Sequence, residues 1–102
     1  MRYSADEIAA CKMYMHKEVD EHEDDALIEL DMCAAAEYLE GAGIHDNGRN
    51  GARYTLALYG LTNHFYDTRN DLNAEVPIPK NIRNLIKQLE HDCELQAAGG
   101  IL

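Results

Sequence analysis

Residues 26–42 of this 102-residue chain read ALIELDMCAAAEYLEGA, and this stretch decides the fold. Apolar side chains recur through it at helical spacing, while its acidic side chains fall mostly elsewhere around the helix. We therefore predict a helix from Ala26 to Ala42 that ends at Gly41 and Gly43. Its broad apolar face comprises Leu27, Ile28, Leu30, Cys33, Ala34, Ala35, Tyr38 and Leu39. The three consecutive alanines at 34–36 let a neighbouring helix approach closely.

A short first helix and an acidic connector precede this segment. Ser4 and Glu7 have the spacing of a capping box, which opens a helix that we expect to end near Lys17. One core stripe is expected on it: Ile8, Cys11, Met15 and Val19. From Glu18 to Asp25 the chain carries six acidic residues and one histidine, so mutual repulsion favours a solvated connector.

Two more helices are predicted after the central one. A glycine-rich loop, 41–51, leads to a helix from Arg49 to Asn70, in which Gly60 costs about 1 kcal/mol relative to alanine unless something packs closely there. Its apolar positions are Tyr54, Ala57, Leu58, Leu61, Phe65 and Leu72. The segment 76–79, Val-Pro-Ile-Pro, must be extended and forms a proline hinge. A fourth helix, Lys80 to Gln96, follows with the cleanest apolar stripe, at Ile82, Leu85, Ile86, Leu89 and Cys93.

The predicted fold is all-α: a small four-helix domain over residues 1–98 with a flexible tail at 99–102. The chain has 19 Asp and Glu against 9 Lys and Arg, and this net charge of −10 argues against binding of nucleic-acid backbones. No stretch has the length of a membrane span or the apolar core of a signal peptide. Three widely separated cysteines argue against a disulfide framework and favour a reducing compartment.

No catalytic or metal-binding pattern stands out, so we expect no enzyme activity, no metal and no cofactor. The five histidines are scattered, and the single serine, Ser4, serves as a helix cap. An alternative is a small magnesium-dependent all-α nucleotide pyrophosphatase that uses Glu37, Glu40 and one of Glu21 or Asp24. Carboxylates at this spacing are common in so acidic a chain, and a solvated helix face explains them better. A second alternative is a helical adaptor that binds one protein.

Tyrosine and arginine are enriched in protein interfaces, and both occur near the end of the third predicted helix. We therefore predict a subunit or partner interface there, extended by two further arginines and by the aliphatic end of the chain. The candidate residues are Tyr59, Tyr66, Arg69, Asp71, Arg49, Arg53, Ile101 and Leu102.

Residues 19–30, VDEHEDDALIEL, and 34–40, AAAEYLE, form an acidic connector followed by a helix. This order resembles the head-tail connector family of long-tailed phages, in which a similar acidic connector precedes a helix. Residues 57–69, ALYGLTNHFYDTR, look like its aliphatic helix that closes on a histidine, an aromatic pair and an arginine. The hinge 76–79 and the aliphatic run 82–86 are similar to its final segment. The resemblance covers about residues 4–92.

The chain departs from the family pattern at three places. His16 and Lys17 stand where many relatives carry an arginine, and residues 41–43, Gly-Ala-Gly, replace a common threonine-glycine. The last ten residues have no counterpart, which leaves open a contact between this tail and a portal.

The resemblance implies a structural virion protein, a head-completion adaptor that assembles as a ring, expected at twelve copies, under the portal. It would close the filled head and provide the platform for tail attachment. The implied partners are further copies of the chain, the portal protein and the next neck or tail-completion protein, with no membrane and no sequence-specific nucleic acid. DNA would pass through the channel. The implied location is the neck of the virion, and the host cytoplasm during assembly.

Overall fold

A computed structural model describes residues 3–45, 51–69 and 77–99. Within these ranges the chain forms four helices and no strand, which confirms the predicted all-α fold: α1 (Ala5–Tyr14), α2 (Asp25–Gly41), α3 (Gly51–Thr68) and α4 (Lys80–Gly99). Helix α2 packs mainly against α3, α3 also packs against α4, and α1 contacts α2. Residues 46–50 of the predicted glycine-rich loop, Val76 at the beginning of the proline hinge and the last three residues lie outside the described residues.

Helix α1 begins as predicted and ends earlier than predicted. The Ser4 hydroxyl accepts a hydrogen bond from the Glu7 amide, and the Glu7 carboxylate accepts one from the Ser4 amide, both at 3.2 Å. The end near Lys17 is wrong, because His16 adopts a φ of 60° and turns the chain out of the helix. The Lys17 amide donates to the Lys12 carbonyl at 2.8 Å and the His16 amide to the Met13 carbonyl at 3.1 Å. This is the hydrogen-bond pattern of a Schellman motif, with a histidine where glycine is usual.

Two clusters of buried side chains form the core. The larger one lies between α2, α3 and α4 and contains Ala35, Ala36, Leu39, Ile44, Ala57, Leu58, Leu61, Ile82, Ile86 and Leu89. The smaller one joins α1 to α2 and contains Ile8, Cys11, Ile28 and Met32. Two of the three predicted close-packing alanines are therefore in the core, and the third, Ala34, faces outward.

The predicted apolar face of α2 is only partly correct. Ile28, Ala35 and Leu39 are buried as expected, but Leu27, Leu30 and Tyr38 are exposed. The inward face is completed instead by Met32 and Ala36. The reason is that apolar residues surround most of this helix, so spacing alone did not identify which side meets α1 and α3.

A close contact between α3 and α4 explains the glycine inside α3. A Cβ atom added at Gly60 would overlap Cδ1 of Ile82 and lie 2.9 Å from its Cγ1. The prediction that a neighbouring group packs closely against Gly60 is therefore confirmed, and that group is the Ile82 side chain. Helix α4 follows the predicted stripe, with Ile82, Ile86 and Leu89 buried, and it ends at Gly99 rather than near Gln96.

Candidate functional site

A buried lysine holds the acidic connector against α1. The Lys12 side chain is only 2% exposed, and its ammonium donates to the Val19 carbonyl at 3.2 Å, to the Glu21 carbonyl and to the Asp25 carboxylate at 2.7 Å. The connector backbone therefore folds around a single positive charge. Val19 contributes this carbonyl, while its side chain is 39% exposed, so its predicted place in the core stripe is wrong.

Asp25 is the anionic partner of this lysine and the first residue of α2. Hydrogen bonds from Lys12 and then from His22 hold the pKa of the Asp25 carboxyl below its ordinary value. The His22 Nδ1 atom lies 2.7 Å from Asp25 Oδ2. A carboxylate in the first turn also interacts favourably with the helix dipole, so Asp25 both opens α2 and fixes the connector.

A second polar cluster ties the connector to the far end of α3. The Tyr66 hydroxyl donates to Asp24 at 2.5 Å and accepts from the Lys17 ammonium at 2.9 Å. This hydrogen bond from Lys17 to Tyr66 is the main cause of a raised Lys17 pKa. The ammonium also lies 4.5 Å from the centre of the Tyr66 ring, within cation–π range. These contacts link Asp24, the residue before α2, directly to Tyr66 near the end of α3.

One turn further along, Arg69 forms an ion pair with Asp31 of α2. Asp31 is only 7% exposed, and burial raises the pKa of its carboxyl, an effect that the hydrogen bond from Arg69 partly offsets. Arg69 also donates to the Leu27 carbonyl at 3.4 Å. Beside this pair, the rings of Tyr38 and Phe65 meet edge to face with their centres 6.4 Å apart.

These contacts unite two of the sequence motifs in space. Asp24 belongs to the first motif, Asp31 lies between its two segments, and Tyr66 and Arg69 belong to the second motif, about forty residues later. The sequence predicted both motifs but did not predict that they contact each other. The opposite charges of Asp31 and Arg69 are a signal in the sequence, but nothing in the spacing selects these two residues as partners.

The structure places the predicted interface residues in different environments. Tyr66 and Arg69 are half-buried and engaged within the chain, as described above. Tyr59 is half-buried with its ring 5.9 Å from that of Tyr14, and burial raises its pKa. Arg53 forms an ion pair with Asp92 of α4. The other four candidates, Arg49, Asp71, Ile101 and Leu102, lie outside the described residues.

An exposed apolar surface on α2 was not recognised as an interface in the sequence. Leu27, Leu30, Ala34 and Tyr38 follow one another at intervals of three, four and four residues, which places them on one face. Leu30 is 59% exposed, Tyr38 45% and Leu27 40%, and Ala34 is exposed as well. We call these four residues the outer stripe of α2. The sequence pattern does not separate them from the core residues, because the two apolar faces of α2 adjoin each other.

Charge is distributed unevenly over the described surface. Four of the seven described lysines and arginines form ion pairs: Lys12, Lys17, Arg53 and Arg69. The other three, Lys80, Arg83 and Lys87, recur at intervals of three and four residues and are exposed on one face of α4. We call them the basic stripe of α4. Among the described exposed carboxylates, four lie in the connector, two each on α1 and α2, and one each on α3 and α4.

The residues of the pyrophosphatase alternative do not form a metal-binding group. Among the described residues, no set of three or more His, Cys, Asp or Glu side chains is placed to hold a metal ion. Glu21, Glu37 and Glu40 are exposed, and Asp24 is bound to Tyr66. A cavity of about 450 Å³ lies between α1, α2 and α3, and its polar lining includes Glu7 and His45.

The three cysteines are free thiols. Cys11 is fully buried in the smaller core cluster, and burial raises the pKa of its thiol to about 12. It is therefore protonated and unreactive at neutral pH.

Within the described part of the chain, no helix has the length and apolar character needed to cross a membrane.

Comparisons with known proteins give no relative. No protein-family model matches the chain, and neither a curated protein nor a solved structure was found to be similar to it.

Proposed function

We propose that this chain is a head-tail connector subunit of a long-tailed phage, a binding protein that assembles as a ring under the portal. In this role it closes the filled head and offers a platform for the tail. The order of the three motifs supports the proposal, as does the all-α fold with its helices at the expected places.

The observation that carries the proposal is the outer stripe of α2. The inward face of this helix is already buried against α1 and α3, while Leu27, Leu30 and Tyr38 on its other side remain 40%, 59% and 45% exposed. Contiguous apolar surface that remains exposed on a folded chain marks a site of protein contact. We infer that α2 is covered by another subunit when the protein works.

Two residues of the 57–69 motif contact the outer stripe of α2. Arg69 donates to the backbone carbonyl of Leu27, and Phe65 packs against the ring of Tyr38. Both ends of the stripe are thereby fixed relative to α3. Pre-organisation of this kind lowers the entropy lost on binding. In the proposed role, motif residues such as Arg69 act by positioning the contact surface of α2.

The charge of the chain suits a subunit near a DNA channel. With a net charge of −10, the protein repels the phosphate backbone, so DNA passes without binding. The connector, with its exposed Glu18, Asp20, Glu21 and Glu23, is a strongly acidic part of the described surface.

The proposal is tested by replacing one leucine of the stripe and measuring assembly. For Leu30→Lys, we expect the affinity for assembly on a purified phage portal to fall at least tenfold. Light scattering measures this assembly. Met13→Lys is the matched control, since Met13 is 68% exposed on α1 and its replacement makes the same change in polarity away from α2. Circular dichroism verifies that both variants keep their helices. Equal assembly of Leu30→Lys, Met13→Lys and wild type would overturn the proposal.

A further inference from the structure

We infer that copies of this chain associate head to tail, with the outer stripe of α2 on one copy docked against the basic stripe of α4 on the next. This inference rests on the proposed function, because it names the contact by which the subunits would assemble. It follows from the distribution of apolar and charged side chains over the two helices.

Acidic side chains border the outer stripe. Glu37 lies on α2 three residues after Ala34 and seven after Leu30, and Glu23 lies in the turn just before the helix. Both carboxylates are exposed, and neither forms an ion pair with a described residue. A partner for this surface must therefore present apolar groups at its centre and positive charge at its edge.

The outer face of α4 has these two properties. Lys80, Arg83 and Lys87 are exposed and form no ion pair with any described residue. Asn84 lies beside them on the helix and also lines a groove of about 350 Å³ between α4, α3 and α1. The apolar lining of this groove includes Leu56, which is 48% exposed, Leu85 and Tyr14. The groove is open to leucine side chains from a neighbouring chain.

Charge and apolar exposure together favour this pairing over the symmetric ones. Two copies that met through their α2 stripes would bring Glu23 and Glu37 of both chains together, and two parallel copies that met through α4 would bring six cations together. An antiparallel α4 contact would place Lys80 near Glu94 of the other chain, but it would leave the outer stripe of α2 exposed. Like charges across an interface are unfavourable, whereas an α2-to-α4 contact joins opposite charges. A contact between two different surfaces is heterologous. Such contacts generate a ring when the rotation closes and an open filament when it does not.

A complementation experiment tests the inference. Leu30→Lys damages the α2 side of the contact and leaves α4 intact, while K80Q/R83Q/K87Q removes the basic stripe and leaves α2 intact. Light scattering is recorded for the wild type, for each variant and for an equal mixture, from micromolar to millimolar chain concentration. We expect the wild type to associate, each variant alone to associate at least tenfold more weakly, and the mixture to form two-chain particles with near wild-type affinity.

A matched control separates the basic stripe from net charge. The triple glutamine variant has a charge of −10 − 3 = −13, and A5E/M13E/T55E reaches the same −13 at three exposed helix positions that belong to neither stripe and do not line the groove. We expect this control to associate like the wild type. Circular dichroism is used to confirm that every variant is folded.

Three outcomes would overturn the inference. These are a mixture as weak as its components, a triple glutamine variant that associates like the wild type, or a wild type that is monomeric at millimolar concentration. Each is distinguishable from failure of the proposed function, because binding to the portal is measured separately. A wild type that binds the portal as several copies while the mixture fails to complement would contradict only the head-to-tail contact.

Discussion

Replacing Lys12 with methionine tests how the connector is held. Methionine retains most of the apolar stem and removes the ammonium, which makes hydrogen bonds to two backbone carbonyls and one carboxylate. The side chain is 2% exposed, so the lost contacts are inside the structure. We expect the connector to come away from α1 and the whole domain to lose stability.

The magnitude can be worked out from these contacts. Removal of one partner of a buried ion pair costs about 3–5 kcal/mol. Asp25 is 28% exposed, so water can replace part of the hydrogen bonding that its carboxylate loses. The expected loss of folding free energy is therefore smaller, about 2–3 kcal/mol. In a domain of this length, 1 kcal/mol shifts the melting temperature by about 4–8 °C. The variant should therefore melt roughly 10–20 °C below the wild type.

Urea unfolding followed by circular dichroism measures the change in free energy. Lys17→Met is the matched control, because Lys17 lies directly before the same connector but its side chain is 30% exposed. It should cost no more than about 1 kcal/mol. If Lys12→Met lost less than about 0.5 kcal/mol, or no more than the control, the connector would not depend on the buried charge and the reasoning would be refuted.

Three other predictions follow from single residues. Gly60→Ala should destabilise the fold by about 1 kcal/mol, because overlap with Ile82 outweighs the gain in helix propensity. Gly41 has open space around it, so Gly41→Ala should be neutral or stabilising in the same urea assay. Cys11 should resist alkylation at pH 8 until the protein unfolds, and rapid modification of the native chain, detected by mass spectrometry, would contradict its burial. The pKa of Asp25 is lower in the folded state, so its contribution is present above about pH 4 and lost as the pH falls through the folded value. Asp25→Asn should therefore be less stable than wild type at pH 6 and approach it at pH 3, and parallel stability curves would contradict this.

The helices could be predicted because their signals are local. The capping box at Ser4 and Glu7, the glycines after α2 and the apolar stripe of α4 each act within a few residues of the backbone that they organise. Their boundaries agree with the structure to within about three residues, and the end of α1 differs because His16 adopts a positive φ that usually requires glycine.

The tertiary contacts could not be predicted because they join distant residues. Nothing near Lys12 in the sequence indicates that its ammonium is buried under the connector, since a lysine is normally exposed. The partners Asp31 and Arg69 are likewise separated by 38 residues. The inward and outward faces of α2 are both apolar, so only the packing of α1 and α3 distinguishes core from interface.

The most direct test of the proposed connector role is the mass of the purified wild-type chain, measured by light scattering alone and after mixing with a phage portal. Assembly into a closed ring, either alone or on the portal and with about a dozen copies, is the result that the account predicts. A chain that remains a monomer or a dimer and does not bind the portal would contradict it. A stable one-to-one complex with a different protein would favour the helical adaptor instead.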